Sequence, residues 1–187
     1  MNSLKDKTDQ ILKAAVAVFI KKGLQATTQE IAKEADVAEV TLYRKFATKQ
    51  NLFISVIKHV LENQFNSKVM KLADEADTEY FFRKIIENRL EVLSKNTPLV
   101  KMLISESLMG NLTEEIDLPK LIFTSLKNGL DHHFAGDNVD TELCARQLGG
   151  IFLSHIVLPN EQPFHHLDEG DKEIVIDKYT RSVMALL

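Results

Sequence analysis

A single cysteine, Cys144, stands among 187 residues, and tryptophan is absent. One thiol closes no internal disulfide, and no Cys/His spacing matches a structural zinc site. Cys144 lies among apolar neighbours and is expected to be a small buried side chain. No apolar run approaches the roughly 18 to 20 residues that cross a bilayer, and the opening MNSLKDKTDQ lacks the apolar segment of a signal peptide. The chain is therefore expected to stay in the cytoplasm, with no membrane partner. A nucleophile elbow, a Gly-rich phosphate loop and metal-ligand spacing are all missing, so nothing marks an enzyme, and no cofactor is expected. Nothing in the C-terminal half alternates with period two over a useful length, so no sheet is indicated.

What is present is a globular composition, 44% hydrophobic and 27% charged, in a chain long enough for one ordinary core or for a small domain attached to a larger one. The net charge of −4 is unevenly placed: residues 1–50 carry nine Lys and Arg against six Asp and Glu, a local +3. A basic end on an acidic body confines attraction for a polyanion to one region.

That basic end holds the stretch TTQEIAKEADVAEVTLYRKF, Thr27 to Phe46. It divides into two short helical patterns around a turn, the arrangement of a DNA-reading helix-turn-helix. Thr27 followed by Glu30 forms a capping box, so a helix starts here with its free N–H groups directed outward, an end that can hold a phosphate. Ile31, Ala32 and Ala35 share an inward face. In the second pattern Leu42 and Phe46 stand one turn apart, leaving Glu39, Thr41, Tyr43, Arg44 and Lys45 largely on the other side. Before this unit, Leu4 to Lys22 reads as a helix that Gly23 stops. After it, Thr48 is a good N-cap. Lys49 in the first turn opposes the helix dipole unless an anion lies beside it; it is either a phosphate ligand or merely solvated.

The run from Gln10 to Phe53 resembles the N-terminal domain of TetR-type transcriptional regulators. Ile11, Ala14, Ala15, Phe19, Gly23, Thr27, Ile31, Ala32, Val37, Thr41, Leu42, Tyr43, Phe46, Lys49 and Leu52 carry the likeness. The remainder of the chain matches by length and helical character alone. The resemblance implies an all-α protein of about nine helices: a three-helix helix-turn-helix DNA-binding domain at residues 1–48, then a helical ligand-binding and dimerisation bundle at 49–187. Expected phosphate contacts are Thr27, Thr28, Tyr43 and Lys49; the expected groove-facing set is Glu39, Val40, Thr41, Arg44 and Lys45, with Arg44 the candidate for a bidentate contact to guanine. Tyr43 has a second reading as a half-buried packing residue. Two departures stand out: Asp36 occupies a turn position where the family usually has glycine, and Ala38 lacks the hydroxyl often found at the cap of the recognition helix.

The fourth helix can run from Thr48 to about Leu72, some 36 Å, long enough to bridge two domains. Further helices are read at Thr78–Lys95, from the cap-and-proline pair Thr97-Pro98 to Met109, from Pro119 to Phe134, from the cap Asp140 to Leu158, and over Asp171–Leu187. The stretch LCARQLGGIFLSHIVL is apolar around most of its circumference. Gly149 and Gly150 would let a helix approach closely, either from a second subunit or from within the same one. TetR-type proteins commonly dimerise through their last two long helices, and these resemble such a pair.

A TetR-like bundle usually encloses an effector, which makes Phe65, Phe82, Ile86, Met102, Phe123, Leu126, Leu148 and Phe152 candidate wall residues for a largely apolar small molecule; each is equally well ordinary core. Arg89 and Glu106 are read as solvent-facing in preference to a buried ion pair or a polar anchor. His155 is read as a hydrogen-bonded core or interface residue, and the adjacent pairs His132/His133 and His165/His166 lack the spacing of metal ligands. The expected function is a homodimeric, ligand-responsive repressor on a pseudo-palindromic operator in double-stranded DNA. The alternatives are a dimeric regulator controlled by a partner protein and an enzyme with a DNA-binding-like appendage.

Overall fold

A computed structural model describes residues 3–61, 67–112 and 117–187, and every regular element among them is helical. The first unit comprises α1 (Ser3–Lys22), a 3-10 turn at Gly23–Gln25, α2 (Thr28–Glu34), α3 (Glu39–Phe46) and α4 (Lys49–Leu61). There follow α5 (Ser67–Ala73), α6 (Thr78–Lys95), α7 (Thr97–Leu108), α8 (Leu118–His133), α9 (Thr141–Val157) and α10 (Glu169–Met184), with a second 3-10 turn at Phe164–His166. The described residues thus form ten α-helices rather than about nine, because the stretch expected as one helix from Thr48 to Leu72 is described as α4 and α5, and residues 62–66 lie outside the description. No helix among the described residues is long and apolar enough to cross a membrane.

Local sequence accounts for most helix starts. The Asp77, Asp117, Asp140 and Asp168 carboxylates each accept from a backbone N–H in the first turn of α6, α8, α9 and α10. Thr48 does the same for Asn51 at the head of α4, as expected. Thr97 departs from expectation: it lies inside α7, and its hydroxyl donates backward to the Leu93 and Ser94 carbonyls, closing α6 rather than opening α7.

Two buried clusters organise the chain. One gathers Ile11, Ala15, Phe19, Ile31, Leu42, Leu52, Phe53 and Ile57 from the first four helices, with Phe19 and Phe53 edge to face at 4.9 Å. It also takes in Leu99 and Leu103 of α7 and Leu118 of α8, so the helix-turn-helix core is completed by residues far along the chain. The other cluster collects Phe81, Phe82, Ile85, Ile86 and Leu90 of α6 with Leu126, Leu130, Leu148, Phe152 and Ile176 of α8, α9 and α10. Arg83 ties α6 to α10 through Glu173 and, at 3.5 Å, Asp177.

Within the chain, the glycine that allows a close helix approach is Gly129: a Cβ built there would lie 2.4 Å from Val69 Cγ1 of α5, whereas nothing of the same chain comes within 4 Å of one built at Gly149 or Gly150. Gly129→Ala gains about 1 kcal/mol of helix propensity but forces a methyl into a β-branched neighbour, a misfit of about 1–3 kcal/mol. The variant is expected to unfold at lower urea, by about 1 kcal/mol net, and Val69→Ala is expected to restore it. An unchanged midpoint in the single variant would show that α5 yields freely.

Candidate nucleic-acid interface

The capping box read at Thr27 is present. Thr27 Oγ1 accepts from the Glu30 N–H at 3.2 Å, and the Glu30 carboxylate accepts from the Thr27 N–H at 3.0 Å. Lys22 pairs with the same carboxylate; its ammonium, and then the Thr27 N–H, hold Glu30 below the usual carboxylate range. The turn into α3 carries Asp36 at φ 48°, a left-handed residue where glycine would be unstrained. α3 starts at Ala38 with no side-chain cap, as the missing hydroxyl implies.

Leu42 and Phe46 anchor α3 inward, which turns the remaining side chains out. Val40 is 72% exposed, Arg44 is exposed, and Thr41 and Lys45 are half-buried. The Lys45 ammonium donates to Thr8 Oγ1 of α1 at 2.7 Å, and the Lys49 ammonium donates to the Leu24 carbonyl at 2.7 Å, capping the turn after α1. An ammonium has three hydrogens, so the Leu24 bond leaves Lys49 further donors. Thr27 is exposed, while Thr28 is only 8% exposed. Thr28 Oγ1 lies 2.5 Å from Glu39 Oε1 and 3.1 Å from Tyr43 Oη, drawing one residue of α2 and two of α3 into a single hydrogen-bonded group. Only half of that group is visible in sequence, where Glu39 and Tyr43 share a face at i, i+4; its link to Thr28 is made by the turn.

The effector-wall candidates divide. Phe82, Ile86, Leu126, Leu148 and Phe152 join the second cluster, and Phe123 packs at its margin with the Arg146 guanidinium 5.1 Å above its ring. Met102 packs instead against the helix-turn-helix core, and Phe65 lies outside the described residues. Open grooves among the described residues are lined by Val18, Lys21, Lys22, Glu30, Lys33 and Glu34, and by Glu75, Asp77, Glu79, Tyr80 and Arg83; neither involves a wall candidate. Arg89 is a correction. It is 3% exposed, not solvent-facing, and burial lowers its pKa to about 10. Glu106 is half-buried, with its carboxylate accepting from Asn111 at 2.8 Å and its other oxygen 3.1 Å from where a Cβ on Gly23 would stand. His155 is half-buried and 3.0 Å from the Tyr179 hydroxyl, and burial pushes its pKa down. Cys144 is buried, with its thiol pushed up by desolvation.

A small helical head with a capped first helix, a tight turn and a second helix presenting Val40, Thr41 and Arg44, carried on a larger helical bundle, is the architecture of a helix-turn-helix regulator. Residues 11–56 match the family model for bacterial regulatory proteins of the tetR family. The matched quarter of the chain, which spans α1 to α4, thus carries the likeness to that family's N-terminal domain. It is 35% identical over 106 residues to the HTH-type transcriptional repressor NicS of Pseudomonas putida, a match covering 55% of this chain and 50% of that protein. The chain spans about half the length of the curated relatives it matches. In fold the likeness covers nearly all of it: GusR of Salmonella enterica superposes with TM-score 0.74 at 19% identity over 100% of this chain and 97% of the other. FadR of Bacillus subtilis, solved in complex with stearoyl-CoA, superposes with TM-score 0.61 at 21% identity over 95% of each.

Proposed function

We propose that this protein is a transcriptional repressor that binds a pseudo-palindromic operator as a homodimer and is released by a largely apolar small molecule. The observation that carries the reading is the outward face of α3, where Val40, Thr41 and Arg44 stand clear of a core that holds Leu42 and Phe46 fixed. Arg44 is matched to a guanine edge, the Val40 and Thr41 methyls to thymine, and Lys45 to the groove wall; Thr27 and Lys49 lie towards the phosphates, and Tyr43 stands beside them with its hydroxyl on Thr28. Residues 49–187 act as the effector and dimer domain. The dimer face is the stripe Leu143, Gly150, Leu153 and Val157 of α9, all exposed at helical spacing, with Ile174 exposed on α10. Open space at Gly149 and Gly150 suits the approach of a second copy. The apolar effector is supported by the composition of the second cluster and by the stearoyl-CoA complex of FadR. A regulator of this kind has no need of catalytic groups and acts where the DNA is, in the cytoplasm.

The test is selection of duplexes from a random-sequence pool, followed by titration at two salt concentrations. Arg44→Ala is expected to weaken the selected duplex by about 1–3 kcal/mol and to relax preference at one base pair. Lys49→Ala is expected to weaken all duplexes alike and to flatten the salt slope by about one. Enrichment of no duplex by the wild-type protein would end the reading.

A further inference from the structure

Three hydroxyl and carboxylate groups meet between α2 and α3, and their chemistry fixes the direction of the hydrogen bonds. A carboxylate only accepts, so the 2.5 Å contact between Thr28 Oγ1 and Glu39 Oε1 consumes the single hydrogen of Thr28. Thr28 then has only lone pairs to offer Tyr43, and the 3.1 Å contact must be donated by the phenol. The relay runs from Tyr43 through Thr28 to Glu39, and it commits the only hydrogen of each hydroxyl. Thr27, next door, is different: it belongs to the capping box, its oxygen accepting from the Glu30 N–H.

We propose that Glu39 is a positioning residue rather than a base reader: by accepting from Thr28 it leaves the Thr28 lone pairs to hold the Tyr43 phenol, and so pins the first turn of α3, and hence Arg44, against the start of α2. Thr28, 8% exposed, is the middle of this relay and not itself a DNA ligand. The inference rests on the operator-binding reading, and the two fail separately. If wild-type protein enriches no duplex, that reading falls; if it binds and the variants below behave otherwise than stated, only the relay falls.

Two substitutions at one position separate acceptor from charge. Glu39→Gln and Glu39→Ala both remove a negative charge from the first turn of α3 and from the neighbourhood of phosphate, but glutamine keeps a carbonyl to accept from Thr28. With the duplex that wild-type protein selects from a random pool, Glu39→Gln is expected to bind at least as tightly as wild type and to select the same sequence. Glu39→Ala is expected to bind about tenfold more weakly than Glu39→Gln, the weight of one hydrogen bond to a neutral carbonyl. In a Thr28→Val background the two Glu39 variants should bind within about twofold of each other, since the relay is already cut. Thr28→Ser, which keeps the hydroxyl, should bind as wild type and so separate loss of the relay from loss of folding. Equal binding by the two Glu39 variants with Thr28 intact, a difference that survives in Thr28→Val, or a changed selected sequence with Glu39→Gln would each overturn the assignment.

Discussion

Leu103→Ala is expected to destabilise the DNA-binding head by about 2–5 kcal/mol, although residue 103 lies in α7 and about 40 positions beyond the end of α4. Leu103 is buried with Leu99 in the same cluster as the α1 and α4 core residues, and α7 packs against α1, α6 and α9. Truncation leaves a cavity where the surrounding helices, fixed by Phe19 and Phe53, have little room to collapse. Against a total stability of about 5–15 kcal/mol, that loss is a large fraction of the margin that keeps the head folded. Leu108, 82% exposed on the same helix, supplies the control, because its truncation should change stability by less than about 0.5 kcal/mol. Urea unfolding of both variants measures the difference, with operator binding read in parallel. Equal small effects would mean that the head is closed by its first four helices alone. A large effect at Leu103 makes α7, beside α4, a second route by which movement in the bundle reaches the recognition helix.

Much of this architecture can be read from local chemistry. The capping box at Thr27, the caps at Thr48 and Asp140 and the bounds of α6 need only neighbours within one turn, and the structure has them where the sequence places them. Side chains whose partners lie far along the chain are harder. Lys49, read as opposing a helix dipole, satisfies the Leu24 carbonyl, and Thr28, read as a phosphate ligand, meets Glu39 across a turn. Met102 shares its helix face with Leu99 and Leu103, and that face belongs to the head and not to the bundle. Arg89 was legible on a stricter reading, since Phe82, Ile85, Ile86 and Leu90 put position 89 on the buried stripe of α6. Its charge argues for solvent and its spacing argues for burial, and spacing prevails because the apolar neighbours fix the helix face before the guanidinium can choose. Gly149 and Gly150 illustrate the remaining limit: helix composition signals close approach, but which helix approaches is a property of the assembly.

Phe82→Ala is expected to cost about 3–5 kcal/mol, and its size decides what kind of effector site the bundle offers. Phe82 is fully buried, with its ring 5.2 Å from Phe81 and 6.1 Å from Phe134, and Ile86, Leu126 and Leu148 are equally enclosed. A side chain in a filled cluster loses partners on every side when truncated, whereas a wall facing a preformed cavity loses them on one side only. The second case would bring the loss below about 2 kcal/mol. Phe123, half-buried under Arg146, is expected to fall in that lower range and serves as the internal comparison. Chemical denaturation of the two variants gives the ranking; a Phe82 loss no larger than that of Phe123 would restore the preformed pocket. If the ranking holds, the apolar effector proposed for this bundle would have to enter by parting α6 from α9 and replacing their mutual contacts with its own. Binding and helix displacement are then one event, and the differential affinity that any ligand-driven release from DNA requires is supplied by the cluster that must open.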